Sequence, residues 1–375
     1  MAEEIKKEAY VELDNNMKIE TNINKPDVAF YDVRKAPFEI YGAYEPTTEP
    51  YFHRLPTNVG KATSARVSGL EQESSGTRVR FSTDSAYIAI KVEFVKAGKN
   101  SHIPLAESAG FDLYTDTEYD SKYTVAFLPP FADITGGALT YESVVDLKGE
   151  RRQRYFTINF PIHSVVKNLY VGIQKDATLG EGMPYKHAEP IVIYGSSIVH
   201  GTAASRPGLT YTNMLCRKLN ADVQNYGFSG NAKAEDAIIN YLRTLPMSVF
   251  VLDYDHNAPN AEYLRNTHLR AYQRFREVRP DVPVVVISSP NVIYNKSWSK
   301  KSSADRRSVV MDTLKYAYER GDKKVYYIDG ETFFMGHEEN DCTMDTVHPN
   351  DMGFSKMADS IAAIIKVALS DIENL

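Results

Sequence analysis

Four short strings, far apart in a chain of 375 residues, hold residue types that together perform acyl transfer. Gly195-Ser196-Ser197-Ile198 is a small-residue turn able to present a hydroxyl, and Asp345-Thr346-Val347-His348 supplies a carboxylate and an imidazole. A serine is a poor nucleophile at neutral pH and needs a base within hydrogen-bond reach, while that base needs an acidic partner to fix its tautomer. Ser197, His348 and Asp345 match those three roles. The tetrahedral intermediate also needs preorganised donors for its oxyanion, and losing one typically costs about 2.7–4 kcal/mol of transition-state stabilisation. The N–H groups of Ser197 and Gly230 and the side-chain amide of Asn257 are the candidates.

Such residues work only if the fold carries them to one place. In open α/β sheets that place lies beyond the carboxyl ends of the strands. From about residue 188 continuous apolar runs alternate with helical patterns: IVIYG (191–195), VQNYG (223–227), SVFVLDY (248–254), PVVVISS (283–289) and KVYYIDG (324–330). Helices are predicted over about 211–219, 234–242, 261–278, 303–320 and 352–369. Strands buried on both faces and separated by helices predict a five-stranded parallel sheet in a three-layer domain. Ser197 follows the first strand, Gly230 the second and Asn257 the third, while Asp345 and His348 lie beyond the fifth.

The first half reads differently. Residues 1–50 are polar and punctuated by proline, with short apolar pieces at 28–31 and 38–41. Between 78 and 174 seven short runs, RVRFST, AYIAIKVEFV, FDLYTD, YTVAFLP, LTYESVVDL, RYFTINF and NLYVGIQ, are β-branched or aromatic and bounded by turn residues. Ile88, Ile90, Val92 and Phe94 alternate with smaller or polar positions, as do Phe156, Ile158 and Phe160 with Tyr155, Thr157 and Asn159. That alternation predicts sheets with one buried face in an antiparallel β-sandwich. The domains are expected at 1–187 and 188–375, joined by a Gly/Pro-rich linker at 176–190.

The ordered set Gly195-Ser196-Ser197-Ile198, Gly230, Asn257 and Asp345-x-x-His348 resembles the four consensus blocks of the SGNH (GDSL-type) hydrolases. The resemblance implies a flavodoxin-like three-layer domain and ester hydrolysis. Ser197 matches the nucleophile, Gly230 and Asn257 the oxyanion-hole positions, and Asp345 and His348 the acid and base. Upstream, Gly110-Phe111-Asp112-Leu113-Tyr114 matches the G-x-D-L-Y string of the N-terminal domain that precedes one branch of the family, and Ser205-Arg206-Pro207-Gly208 resembles the same branch. By analogy the expected substrates are acetylated or otherwise esterified carbohydrates. Two positions depart from the consensus. Ser196 replaces the Asp of the GDS form, and Asp255 with Ala258 replaces the Gly and Asp of the G-x-N-D block. A carboxylate at 255 opposes negative charge on an oxyanion unless it points away.

Each element has a plainer reading. A lone serine after a strand is usually a turn residue, and a lone D-x-x-H before a helix is usually a cap; it is the order of all five positions that favours catalysis. Arg206 either orients a substrate oxygen or clamps its loop, with the clamp favoured, and His256 is a candidate substrate contact. The alternatives are a noncatalytic carbohydrate-binding protein with a degenerate hydrolase domain, or a hydrolase of lipids or thioesters.

Composition narrows the partners. With 43 Lys+Arg against 49 Asp+Glu, the net charge of −6 lacks the basic excess of a nucleic-acid binder. No apolar run is long enough for a membrane span. The histidines show no metal-ligand spacing and no Gly-rich phosphate loop is present, so neither metal nor cofactor is expected. Cys216 and Cys342 are read as structural thiols. MAEEIKKEAY lacks the apolar stretch of a signal peptide. A secreted or periplasmic location therefore requires a leader removed before Met1, and the chain is otherwise expected to be cytoplasmic. Oligomeric state is not readable from the sequence.

Overall fold

The computed structural model describes residues 21–290, 300–336 and 341–373. The first 20 residues of the predicted polar segment 1–50 and the last two residues of the chain lie outside them. The α/β half is built on β11 (His187–Gly195), β12 (Ala221–Gly227), β13 (Val249–Asp253), β14 (Val284–Ile287) and β15 (Val325–Ile328). They form a parallel sheet in the order β12-β11-β13-β14-β15. Alternate residues serve opposite faces. Ile191 and Ile193 of β11 pack with α6 (Tyr211–Leu219) and α10 (Asp351–Glu373), while Val192 and Tyr194 pack with α7 (Asp236–Leu242), α8 (Ala261–Arg276) and α9 (Lys300–Glu319). Both faces of every strand are thus covered, which is why these runs are continuously apolar. The strand order reverses at β11, and the crevice there opens between the carboxyl ends of β11, β12 and β13.

The sandwich half has two antiparallel sheets. β1 (Val28–Asp32), β4 (Tyr87–Lys96), β7 (Thr140–Asp146) and β9 (Val165–Gln174) are ordered β1-β9-β4-β7. β3 (Arg78–Thr83), β5 (Phe111–Asp116), β6 (Ser121–Phe127), β8 (Arg154–Asn159) and β10 (Leu179–Glu181) run β10-β3-β8-β5-β6, with β2 (Glu39–Tyr41) also on β3. Four short helices, α1 (Thr57–Thr63), α2 (Ala65–Leu70), α3 (Leu105–Ser108) and α4 (Phe131–Gly136), fill the connections. Ile88, Ile90, Val92 and Phe94 meet Val79, Phe81, Phe111, Leu113, Phe156 and Ile158 in the core between the sheets.

Two expectations change. Segment 176–190 is not a loose linker, because Leu179–Glu181 pairs with β3 and His187 already begins β11. The β3-containing sheet also has two buried faces. Its polar face is buried at Arg78, Arg80, Asp112, Tyr114, Thr157 and Asn159, while Tyr155 and Tyr123 at its margin stay exposed. Burial of those groups is tolerated because they are paired. Arg78 donates to the Val223 carbonyl at 3.1 Å and pairs with Asp222, both in the α/β half.

Candidate active site

Ser197 opens α5 (Ser197–His200) immediately behind β11. The elbow demands glycine before it, since a Cβ on Gly195 would lie 2.1 Å from the Asp253 carbonyl oxygen. Ser196, at the position of the missing Asp, is the helix N-cap, and its Oγ accepts the Ile198 N–H at 3.2 Å. The departure from GDS therefore has a local structural role. As the first residue of the helix, Ser197 has a backbone N–H outside the intrahelical ladder.

His348 arrives from the other end of the domain on a tight loop. The Met344 N–H donates to the His348 carbonyl at 2.9 Å, and Asp345 Oδ1 accepts the N–H groups of Val347 and His348 at 3.0 and 2.7 Å. Such side-chain-to-backbone bonds are the mechanism by which Asp fixes a turn. The other oxygen, Oδ2, lies 2.7 Å from His348 Nδ1, and His348 Nε2 lies 2.9 Å from Ser197 Oγ. A carboxylate facing Nδ1 assigns the proton there, which leaves Nε2 to accept from Ser197. Burial raises the Asp345 carboxyl, but the hydrogen bonds from His348 and Val347 outweigh it and hold the group below the usual carboxylate range. The acid is therefore ionised when the imidazole has to become cationic.

Gly230 turns the chain after β12 with φ +70°, in the left-handed region that glycine enters freely. Asn257 follows β13, and its Oδ1 accepts the Ala232 N–H at 3.2 Å. That bond fixes the amide so that Nδ2 remains a donor. Among the described residues no hydrogen bond takes up Asn257 Nδ2 or the Gly230 N–H. Asp255 leans the opposite way along the sheet. It is buried, its Oδ2 accepts the Ser289 N–H at 2.8 Å behind β14, and burial pushes its carboxyl up to about 6. The substituted carboxylate thus serves the β14 side, whereas Asn257 serves the β12 side.

His256 lies in the electrostatic field of His348. Burial first, and then the charge of the Arg306 guanidinium, lower its pKa to about 3, so it is a neutral imidazole there. Arg206 sits in the interdomain contact. Its Nη1 donates to Asp112 Oδ2 and to the Tyr114 hydroxyl, both at 2.6 Å. His200 is fully buried and faces the sandwich, where Nε2 lies 3.1 Å from the Ile162 carbonyl. Sequence reading passed over Arg54. It comes from the sandwich and its Nη1 donates to the Gly227 carbonyl at 2.6 Å, just ahead of the Gly230 turn. No local spacing signals that role, because partner and arginine are 173 residues apart.

A parallel sheet with a hydrogen-bonded serine, histidine and aspartate at its carboxyl edge is the architecture of an ester-hydrolysing enzyme. Residues 188–366 match the GDSL-like Lipase/Acylhydrolase family, and residues 28–179 match GxDLY, the N-terminus of SGNH-hydrolase-type esterases. The chain belongs to the GDSL-type (SGNH) esterases that carry this N-terminal domain. No match is found among curated protein sequences. Among solved structures, a Bacteroides ovatus protein described as a GDSL-like lipase aligns with TM-score 0.81 and 25% identity, covering 92% of this chain and 98% of its own. The salicylyl-acyltransferase SsfX3 of a tetracycline biosynthetic pathway aligns with TM-score 0.75 and 19% identity over 92% and 99%. An acetyl xylan esterase from the rumen bacterium Butyrivibrio proteoclasticus aligns with TM-score 0.57 and 11% identity over 92% and 99%. These last two likenesses are of fold. Among the described residues no helix is long and apolar enough to cross a membrane.

Proposed function

We propose that this enzyme removes a short acyl group, acetyl foremost, from an esterified carbohydrate through an acyl-enzyme on Ser197. The observation that carries the reading is the unbroken Ser197–His348–Asp345 hydrogen-bonded chain at 2.9 and 2.7 Å. Ser197 Oγ attacks the ester carbonyl carbon as His348 Nε2 takes its proton. The oxyanion is held by the N–H groups of Ser197 and Gly230 and by Asn257 Nδ2. His348 returns the proton to the departing alkoxide and the alcohol leaves; water then gives its proton to His348 as it attacks the acyl carbon, the bond to Ser197 Oγ breaks, His348 reprotonates Oγ and the carboxylic acid departs. Asp345 retains the Nδ1 proton side and stabilises the imidazolium throughout.

The acetyl xylan esterase likeness supports a carbohydrate ester, and the net charge of −6 suits an uncharged substrate better than an anionic one. The likeness to an acyltransferase favours a second reading, in which an alcohol replaces water as acyl acceptor. Acetate release from a panel of acetylated xylans, mannans and oligosaccharides, together with a p-nitrophenyl ester series, tests the proposal. The expected result is acetate release from at least one glycan and rates that fall beyond short acyl chains. A preference for long chains would support the lipid or thioester alternative, and acetyl ester recovered on an added alcohol would support the transferase.

A further inference from the structure

Behind the α5 helix, three buried side chains from both halves of the molecule converge. Glu73 lies between α2 and β3, His163 between β8 and β9, and His200 closes α5. Glu73 Oε2 is 3.1 Å from His163 Nδ1 and 3.1 Å from His200 Nε2. All three donor atoms fall within 4.8 Å of one another. The opposite nitrogen of each ring is also engaged. His200 Nδ1 lies 3.2 Å from Ser229 Oγ, and His163 Nε2 lies 3.2 Å from Thr202 Oγ1 and 3.6 Å from Glu107 Oε1.

Glu107 gives the arrangement its meaning. It is fully buried, and no side chain among the described residues donates a hydrogen bond to either carboxylate oxygen. Buried carboxylates are rarely left so. While His163 donates from Nδ1 to Glu73, its Nε2 is an acceptor, met by the Thr202 hydroxyl at 3.2 Å, with Glu107 Oε1 3.6 Å away. A cation on Nδ1 moves the ring proton to Nε2, and Glu107 then receives a donor. A ligating imidazole whose other N–H meets a carboxylate is the usual outer support of a metal-bound histidine.

We propose that Glu73, His163 and His200 bind one divalent cation of the zinc type, with Glu107 orienting His163 from outside the coordination sphere. Two imidazoles and one carboxylate suit zinc, whereas calcium and magnesium select oxygen-only sets. The two donor spacings from Glu73, 3.1 Å each, are near the edge of a tetrahedron with bonds of about 2.0–2.2 Å, and the two imidazole nitrogens, within 4.8 Å, close on the ion when it binds. Glu73 and His163 keep 11% and 10% of their side chains exposed, which provides the route of entry. The Arg54 guanidinium is the neighbouring cation, and it is committed to the carbonyls of Leu70, Glu73 and Gly227. The ion joins the two halves, and through Ser229 it braces the turn that carries Gly230. It has no direct contact with the substrate ester in this arrangement.

The test uses the whole chain, stripped with chelator and titrated with cobalt(II) as a visible probe. Expected are one equivalent bound with the intense d–d bands of four-coordinate cobalt, displacement by zinc, and a Tm rise of about 5 °C at zinc well above its Kd. His163→Asn and Glu73→Gln should abolish the bands, and His348→Asn should retain them. Glu107→Gln, which keeps the shape of the site, should weaken cobalt about 10–100-fold. No bands and no Tm shift in the unmutated protein would establish an ion-free hydrogen-bonded cluster and overturn the proposal. Bands lost in His348→Asn but kept in His163→Asn would overturn it too, by placing the ion at the serine site.

Discussion

Arg206 of the α/β half meets Asp112 of the sandwich at 2.6 Å, and the same Asp112 oxygen accepts the Gly208 N–H at 2.8 Å. The other oxygen accepts from Asn159 Nδ2 at 2.8 Å, so a fully buried carboxylate has every partner it needs. The Arg206 guanidinium also covers Tyr123, 3.7 Å from the ring centroid. The G-x-D-L-Y string and the Ser205-Arg206-Pro207-Gly208 string are therefore two sides of one interdomain lock, and Gly208 fits because a Cβ there would lie 2.5 Å from the Tyr114 ring.

Removing one partner of a buried pair leaves the other charge uncompensated, which costs several kcal/mol. Arg206→Ala is expected to destabilise the enzyme by about 2–4 kcal/mol in urea unfolding. Arg206→Lys should recover only part of it, since an ammonium reproduces neither the twin contact nor the stacking. KM for p-nitrophenyl acetate should stay within about twofold once folding is restored by lower temperature. An unchanged unfolding midpoint with a raised KM would instead make Arg206 a substrate-orienting residue.

Asn257 is held by Ala232 so that Nδ2 is free to serve an oxyanion. Asn257→Ala should lower kcat about 10²–10³-fold with little change in KM, because a charge that develops only in the transition state loses a donor. Steady-state kinetics on p-nitrophenyl acetate decide it. A rise in KM at constant kcat would mean that Asn257 binds ground-state substrate.

Asp255 gives a pH signature of opposite sign to a salt-bridged carboxylate. Burial raises its folded pKa from 3.8 to about 6, so its contribution to stability is complete below about 3.8 and is lost as pH rises through 6. That rise corresponds to roughly 3 kcal/mol. Asp255→Asn, which removes the ionisation and retains an oxygen for the Ser289 N–H, should be more stable than the parent at pH 8 by about 1–3 kcal/mol. The gap should shrink to about a third of that by pH 4.5 and close only below about pH 3.8. Urea unfolding at the two pH values checks this, and a gap that widens on acidification would contradict the burial argument.

Much of this was legible in the sequence, for identifiable reasons. The runs at 78–83, 111–116 and 154–160 carry the alternation of a pleated surface, and each contains a strand at nearly the same bounds. Ser197, Gly230, Asn257 and His348 were readable because each sits just beyond the end of an apolar strand or in the D-x-x-H string. Polar alternation misled at Arg78, Arg80, Thr157 and Asn159, where a face that reads as solvated is sealed by paired charges against the second half of the chain. The Glu73, His163 and His200 cluster was invisible for a related reason. Its members come from two loops 90 residues apart and from the end of α5, and spacing rules report only ligands that share an element.

Ser197 is the proposed nucleophile, and hydrolysis of p-nitrophenyl acetate by Ser197→Ala beside the parent enzyme tests that role most directly. The substitution removes one hydroxyl and its bond to His348, so unfolding free energy should move by no more than about 1 kcal/mol. Activity is expected to fall by at least about 10³-fold. Turnover retained at the parent rate in a folded Ser197→Ala protein would contradict the mechanism.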